Sequence, residues 1–176
     1  MSWTSRLSLL LPIALLAACA ETPPPPEPDI IARPPPKKPE WMLGRPGKCK
    51  VGEPYQIDGI TYFPQLEWHY NKTGTASWYG PGFHGRVTAN GDIYDEMGMT
   101  AAHPTLQLPS VVQVTNLDNG RSVLVRVNDR GPFILGRMID LSKRAARRLG
   151  FEKKGTARVR VKVMEEPSRM LWKACK

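Results

Sequence analysis

Three side chains able to give or take a proton, Asp92, His103 and Asp129, stand beside predicted turns. Carboxylic acids and imidazoles are the groups that most often perform general acid–base catalysis. Asp92 follows Asn90-Gly91, a pair that favours a tight turn, so Asp92 and Tyr94 should leave the turn extended on one face. His103 comes eleven positions after Asp92 (103 − 92 = 11), beyond a segment that can turn back. The spacing is therefore compatible with one acid–base site.

Asp129 ends a valine-rich stretch within residues 128–132, Asn-Asp-Arg-Gly-Pro, and is expected at the end of a strand. Strand ends and loops are where small barrels carry their functional side chains. Each residue also has a structural explanation. Asp129 suits a turn, and Arg130 could neutralise its charge. Asp92 can cap a turn, and a single histidine such as His103 often has a structural role. The residues alone leave both interpretations open.

Motifs of several other chemistries are missing from the sequence. It contains no P-loop, no glycine-rich dinucleotide-binding turn and no Gly-x-Ser-x-Gly elbow. His84 and His103 are too far apart for a close-spaced pair of zinc ligands. We therefore expect no cofactor and no metal.

Strands that could position these residues are predicted where apolar and polar residues alternate. Residues 111–117 and 121–128 flank Asn119-Gly120 and predict a hairpin with the favoured two-residue turn. Residues 157–164 alternate apolar residues with arginine or lysine, which predicts a strand with one buried face. The aromatic segment 48–72 predicts a short hairpin with Asp58-Gly59 as its turn, or an arm packing on the domain.

One short helix is predicted between these strands. Asp140 or Ser142 can cap its start, and Gly150 can end it. Ala145, Ala146 and Leu149 line one side of it. Together with the strands, this pattern predicts an all-β domain with short helices, built as a small β-barrel.

The N-terminal residues predict export and lipidation. The apolar run Leu7–Leu16 is too short for a permanent span and fits a signal peptide, residues 1–18. Residues 16–19, Leu-Ala-Ala-Cys, resemble the bacterial lipobox, in which Cys19 is acylated; an ordinary signal peptide with an incidental Cys19 is the alternative. The proline-rich residues 19–47 predict an extended tether. Ala20 after the cysteine is typical of lipoproteins of the outer membrane.

The net charge of the chain indicates the kind of partner that it favours. Lys plus Arg number 25 against 16 Asp plus Glu, a formal charge of +9 that favours an anionic partner. The predicted export argues against nucleic acid as a partner.

Cys49 and Cys175 bracket the domain, so an exported chain could join them in a disulfide; two unpaired thiols are the alternative.

The stretch from about Gly74 to Val163 resembles the RlpA (rare lipoprotein A) family. The likeness lies in the segments ASWYG, TANG, TAAH, VRVNDRGP and IDLS. It implies a six-stranded double-psi β-barrel over residues 73–165, followed by a tail, residues 166–176. It also implies a lytic transglycosylase that cleaves peptidoglycan glycan strands without stem peptides, held by its lipid at the periplasmic face of the outer membrane. Many members carry a SPOR domain, which is not expected here; protein partners are not indicated.

Carried over by position, the resemblance implies catalytic roles for Asp92, His103 and Asp129. The family usually has Glu where this chain has Asp92, one methylene shorter. For Trp78 and Tyr79, a role in packing the core is the alternative. The candidates for substrate binding are Trp78, Tyr79, Tyr94, Arg130 and Asp140.

The implied reaction needs one carboxylic acid that protonates the oxygen between N-acetylmuramic acid and N-acetylglucosamine. The muramyl 6-hydroxyl then closes onto C1 and leaves a 1,6-anhydro end. Such an acid must hold its proton, as it would if Asp92 and Asp129 faced each other with His103 orienting one of them. A non-catalytic, expansin-like peptidoglycan binder is the alternative, because IDLS around Asp140 also resembles the expansin motif. A third alternative is a structural lipoprotein that links the outer membrane to the cell wall.

Overall fold

The computed structural model describes residues 47–175. The predicted signal peptide, Cys19 and all but the last residue of the predicted tether lie outside the described residues. Among the residues described, no helix is long and apolar enough to cross a membrane.

Six strands close into a barrel, which confirms the predicted architecture. The order around the barrel is β3-β7-β4-β6-β5-β8. The pairs β3–β7 and β4–β6 are parallel, and the other pairs are antiparallel. The elements are β1 (Tyr55–Ile57), β2 (Ile60–Tyr62), β3 (Asn71–Trp78), β4 (Thr100–Ala102), β5 (Ser110–Asn116), β6 (Ser122–Asp129), β7 (Arg137–Leu141), α1 (Lys143–Leu149), β8 (Ala157–Val163) and α2 (Glu165–Ala174).

The core of the barrel is formed by the side chains that point inward, which on β8 are every second residue. On β8, Val159, Val161 and Val163 are buried, while the arginine and lysine residues between them are exposed, as predicted. Leu106 and Ile139 are buried in the same cluster. Burying each such side chain stabilises the fold by about 1.5–3 kcal/mol, so the core holds the strand ends in place.

The hairpin predicted around Asn119-Gly120 forms between β5 and β6, but its turn is longer than the predicted two residues. The backbone N–H of Asn116 donates to the carbonyl of Arg121 at 2.8 Å, which leaves a loop of residues 117–120. The side-chain amides of Asn116 and Asn119 both donate to the carbonyl of Leu149, at 3.0 and 2.9 Å. The loop is therefore shaped by the end of α1 and not by its local turn preference alone.

Helix α1 forms as predicted. The Ser142 hydroxyl accepts the N–H of Ala145, so Ser142 caps the helix and Asp140 does not. Gly150 ends it with a φ of 79°, a conformation that glycine adopts without steric cost.

Helix α2 occupies most of the segment predicted to be a tail. Its Leu171 packs against Val111 of β5. The Ser168 hydroxyl accepts the N–H of Val111 at 2.9 Å. These contacts attach the end of the chain to the barrel.

The arm before β3 contains the predicted hairpin, β1 and β2, which turns at Asp58-Gly59. Both turn residues have positive φ, 48° and 78°, as this short turn requires. A disulfide joins Cys49 in the arm to Cys175 at the end of α2, which confirms the expected bridge. The arm is thereby linked covalently to the other end of the domain.

Candidate active site

The turn that carries Asp92 is closed by its own backbone. The N–H of Thr88 donates to the carbonyl of Asp92 at 2.8 Å, and the N–H of Gly91 donates to the carbonyl of Thr88 at 2.9 Å. Gly91 has a φ of 89°, so a residue with a side chain would be strained there. Asp92 and Tyr94 are buried while Ile93 is exposed, which confirms that the first two share a face.

The same turn is joined to the end of β6. The N–H of Asn90 donates to the carbonyl of Asn128 at 3.3 Å. The Asn128 side-chain amide donates to Oδ2 of Asp92 at 2.9 Å. The N–H of Ala89 donates to Oδ1 of Asp129 at 2.8 Å. The turn and the strand end therefore behave as one unit around Asp129.

Three hydrogen bonds hold the Asp129 carboxyl group. Oδ1 accepts the N–H groups of Ala89 and Arg130, both at 2.8 Å. Oδ2 accepts the Tyr79 hydroxyl at 3.0 Å. Burial and the neighbouring Asp129 charge raise the pKa of Tyr79 well above its usual value, so its hydroxyl keeps the proton that it donates.

A cavity of about 160 Å³ opens beside this carboxyl group. The ring of Tyr79 lies 4.4 Å from that of Tyr94 and 5.7 Å from that of Phe83. The Arg86 guanidinium lies over the Phe83 ring at 5.1 Å. Aromatic walls beside an oriented carboxyl group suit a sugar ring, which has apolar faces and polar edges. The lining residues are Tyr79, Phe83, Arg86, Val87, Thr88, Tyr94 and Asp129.

Asp92 does not line this cavity and instead forms a buried ion pair. Its Oδ2 lies 3.1 Å from a terminal nitrogen of Arg126, and the two side chains are 7% and 6% exposed. Within residues 47–175, the other two guanidinium nitrogens of Arg126 have no hydrogen-bond partner. Gly47 lies against Asp92, since a Cβ there would lie 2.7 Å from Oδ1 of Asp92. The expected pair of carboxyl groups facing each other across a groove is therefore not formed.

His103 is buried and its ring is fully engaged. Nδ1 accepts the N–H groups of Thr105 and Leu106 at 3.2 and 3.1 Å, so Nε2 carries the proton and faces the Tyr70 hydroxyl at 3.0 Å. Burial lowers the pKa of His103 to about 3, which keeps the ring neutral. The ring bonds to no carboxylate among the described residues, contrary to expectation. Its backbone N–H does reach Asp129, donating to the carbonyl at 3.1 Å.

Arg130, a candidate for substrate binding, uses its guanidinium to hold backbone. It donates to the carbonyls of Leu106 and Val51 at 2.6 Å each, and to that of His103 at 3.2 Å. Val51 belongs to the arm, so Arg130 joins the arm to the residues beside the site.

The remaining two candidates lie in the β3–β7 region. The Trp78 indole N–H donates to the carbonyl of Glu152 at 3.1 Å and its ring packs on the core, which matches the structural alternative. Asp140 accepts a hydrogen bond from the Ser77 hydroxyl across the β3–β7 pair. Burial raises the pKa of Asp140.

Sequence reasoning missed several supporting residues. Arg126 falls on a valine-rich strand where its neighbours are buried, and a charge in such a stretch is a signal that a buried partner exists. Asn128 stands in the same motif as Asp129, but nothing in that motif marks it as a ligand of Asp92. Tyr70 gave no signal, because its contact with His103 depends on the path of the arm.

Comparison with known proteins identifies the class of protein. A family model described as "Lytic transglycolase" matches residues 71–161, more than half of the chain. The chain therefore belongs to the lytic transglycolase family and has the double-psi β-barrel predicted from the sequence. Its curated relatives confirm the resemblance to RlpA proteins.

Two of these relatives are named "Endolytic peptidoglycan transglycosylase RlpA". One, from Pseudomonas aeruginosa strain UCBPP-PA14, is 62% identical over 109 residues, 61% of this chain and 32% of the relative. Another, from Rickettsia bellii strain RML369-C, is 50% identical over 121 residues, 67% of this chain and 53% of the relative. The chain thus spans about a third to a half of the length of these relatives.

Among solved structures, the Streptomyces papain inhibitor (SPI) is similar with a TM-score of 0.46 and 24% identity. The match covers 57% of this chain and 99% of that protein. This likeness is too slight to bear on function.

Proposed function

We propose that the chain is an endolytic peptidoglycan lytic transglycosylase that acts on strands poor in stem peptides. The observation that carries the proposal is the Asp129 carboxyl group, oriented by three hydrogen bonds at an aromatic-lined cavity. The names of the relatives support the substrate class. Asp129 is the carboxyl group that lines this cavity among the residues that the structure describes.

Asp129 acts in both halves of the reaction. It gives its proton to the oxygen between N-acetylmuramic acid and N-acetylglucosamine, and the bond from that oxygen to C1 breaks. The muramyl 6-hydroxyl then bonds to C1 and returns its proton to the carboxylate. No water is consumed, and Asp129 is regenerated. In the carboxylate form of Asp129, Oδ2 accepts the Tyr79 hydroxyl at 3.0 Å, which orients the group to take this proton.

Asp92 and His103 are positioning residues in this proposal. Asp92 ties the turn to Arg126 and Asn128, and the same turn supplies the Ala89 N–H to Asp129. His103 supports Asp129 through a backbone hydrogen bond. Small displacements of a catalytic group are costly, so both should affect the rate without touching substrate.

A non-catalytic peptidoglycan binder is the second candidate. It is favoured by the short Asp92 side chain, which is paired with Arg126 and lies against Gly47. With that carboxyl group withdrawn, the cavity presents aromatic surface and a single acid among the residues described.

The proposed location is the periplasmic face of the outer membrane, with a lipid on Cys19. The apolar run before Cys19 and the proline-rich residues after it support this proposal. Cys19→Ser should move the protein out of the outer-membrane fraction; unchanged fractionation would contradict the lipid anchor.

Digestion of purified sacculi tests the activity. The parent chain should release soluble glycan, more so after amidase pretreatment, and Asp129→Asn should release none while keeping its folded spectrum. Binding of sacculi without release would favour the second candidate. Equal release by Asp129→Asn would show that Asp129 is not the acid.

A further inference from the structure

A second cavity, of about 480 Å³, lies between the arm and the barrel. Tyr55, Lys50 and Glu53 line it from the arm, and Arg130 and Phe133 line it from the segment after β6. The cavity exists only because the arm is held against the barrel. Nothing in the transglycosylase chemistry derived above uses it.

Its aromatic wall is rigid. The ring of Tyr55 stacks on that of Tyr62 at 5.3 Å with an interplanar angle of 19°. The Phe133 ring meets both edge-on, at 6.0 and 5.6 Å. The Tyr55 hydroxyl donates to the carbonyl of Pro104 at 2.7 Å, which anchors the stack to the barrel. A fixed aromatic surface of this kind loses little entropy when a sugar packs on it.

The polar groups of the cavity favour an anion. Lys50 and Arg130 contribute two positive charges against the single carboxylate of Glu53. The backbone of Lys50 is held by a pair of hydrogen bonds to Leu108, at 2.7 and 2.8 Å. Within the described part of the chain, the exposed Lys50 ammonium group has no ion-pair or hydrogen-bond partner, so it is available to a ligand.

The two cavities are lined by consecutive residues of the chain. Asp129 lines the cavity of the proposed active site and Arg130 lines the second. Their Cα atoms are about 3.8 Å apart, as for any consecutive residues. A glycan strand whose scissile bond lies at Asp129 must continue beyond that residue, and the next residue along the chain, Arg130, lines the second cavity.

Resting on the proposed function, we propose that the second cavity is a subsite for a muramyl residue without its stem peptide. Removal of the peptide leaves a free lactyl carboxylate on the sugar. That carboxylate would pair with Lys50 while the sugar packs on Tyr55 and Phe133. The subsite would thereby distinguish bare glycan from neutral oligosaccharides of the same length.

Binding to the full chain carrying Asp129→Asn tests this, because turnover is then removed. The probes are a tetrasaccharide of alternating N-acetylglucosamine and N-acetylmuramic acid with free carboxylates, and neutral chitotetraose. Calorimetry should show the carboxylated probe binding roughly two- to fivefold more tightly, the ratio expected for an exposed ion pair. The preference should shrink as salt is raised.

Lys50→Gln should abolish this preference while leaving the affinity for chitotetraose unchanged. Lys48→Gln is the matched control, because Lys48 is exposed on the same arm but does not line the cavity; it should keep the preference. Equal affinity for both probes, or a preference that survives in Lys50→Gln, would overturn the subsite.

Cleavage of sacculi by the parent chain separates this failure from that of the proposed function. Cleavage without a Lys50-dependent preference would refute the subsite but not the proposed activity. A Lys50-dependent preference without cleavage would refute the proposed activity but not the carboxylate-binding subsite.

Discussion

Removing the charge of Asp92 tests whether this residue positions the site or donates a proton. Asp92→Asn keeps the size and shape of the side chain but leaves the buried Arg126 guanidinium without its counter-charge. Two nitrogens of that guanidinium already lack partners within the described residues. The substitution should therefore destabilise the fold.

The size of the effect follows from burial. Removing one partner of a buried ion pair costs about 3–5 kcal/mol. The introduced asparagine side chain can still accept one hydrogen bond, which places the expected loss near the lower limit, about 3 kcal/mol. For a domain of this length that loss lowers the melting temperature by about 10 °C. Asp118→Asn, at an exposed loop position, should stay within about 0.5 kcal/mol of the parent.

Thermal and urea unfolding of a double-mutant cycle measures this loss. Asp92→Asn combined with Arg126→Met removes both charges, so the double variant should be more stable than Asp92→Asn alone by about 1–3 kcal/mol. A melting temperature of Asp92→Asn within about 2 °C of the parent, together with lost cleavage, would refute the positioning role. Asp92 would then be acting chemically.

Three further predictions concern neighbouring groups. Tyr79→Phe removes the donor to Asp129 Oδ2 and should slow glycan cleavage about tenfold, measured by product release; an unchanged rate would count against that contact. Replacing Cys49 and Cys175 by serine should cost about 4 kcal/mol in urea unfolding, since the bridge joins residues 126 apart; a loss below about 1 kcal/mol would contradict this. Because the folded pKa of His103 is about 3 against 6.5 unfolded, the unfolded state binds more protons between these values. The free energy of unfolding should therefore fall by up to about 1.4 kcal/mol per unit as pH drops through that window, and His103→Gln should flatten the slope.

Local patterns were enough to predict several elements of the fold. The alternation on β8 and the caps of α1 at Ser142 and Gly150 depend on neighbours in sequence, and the structure confirms them. The turn at Asp58-Gly59 is of the same kind. The loop 117–120 differed from prediction because its asparagines bond to a distant helix end, which no local rule describes.

The site was harder to predict because its contacts are long-range. The sequence placed Asp92 and Asp129 in suitable motifs, but the direction of each carboxyl group depends on which element it meets. Asp92 meets Arg126, 34 positions later (126 − 92 = 34), and not the cavity. Helix α2 was missed for a similar reason, since its apolar contact with Val111 requires the barrel to be in place.

The arm was predicted to pack on the domain, but its consequences could not be inferred from residue types. Gly47 lies against Asp92, and Val51 accepts a hydrogen bond from Arg130. The Val51 contact depends on the backbone path between the disulfide and β3, whereas Gly47 lies just before the disulfide-bonded Cys49. The arm therefore forms part of the surroundings of the site, in addition to the motifs shared with the family.

The chemical form of the new glycan end tests the central claim most directly. Amidase-treated sacculi are digested with the parent chain and with Asp129→Asn, and the released fragments are weighed by mass spectrometry before and after borohydride reduction. A lytic transglycosylase acting through Asp129 gives fragments lighter by one water than hydrolysis products and resistant to reduction, and these are absent with Asp129→Asn. Reducible ends, no fragments from the parent chain, or the same fragments from Asp129→Asn would contradict the account.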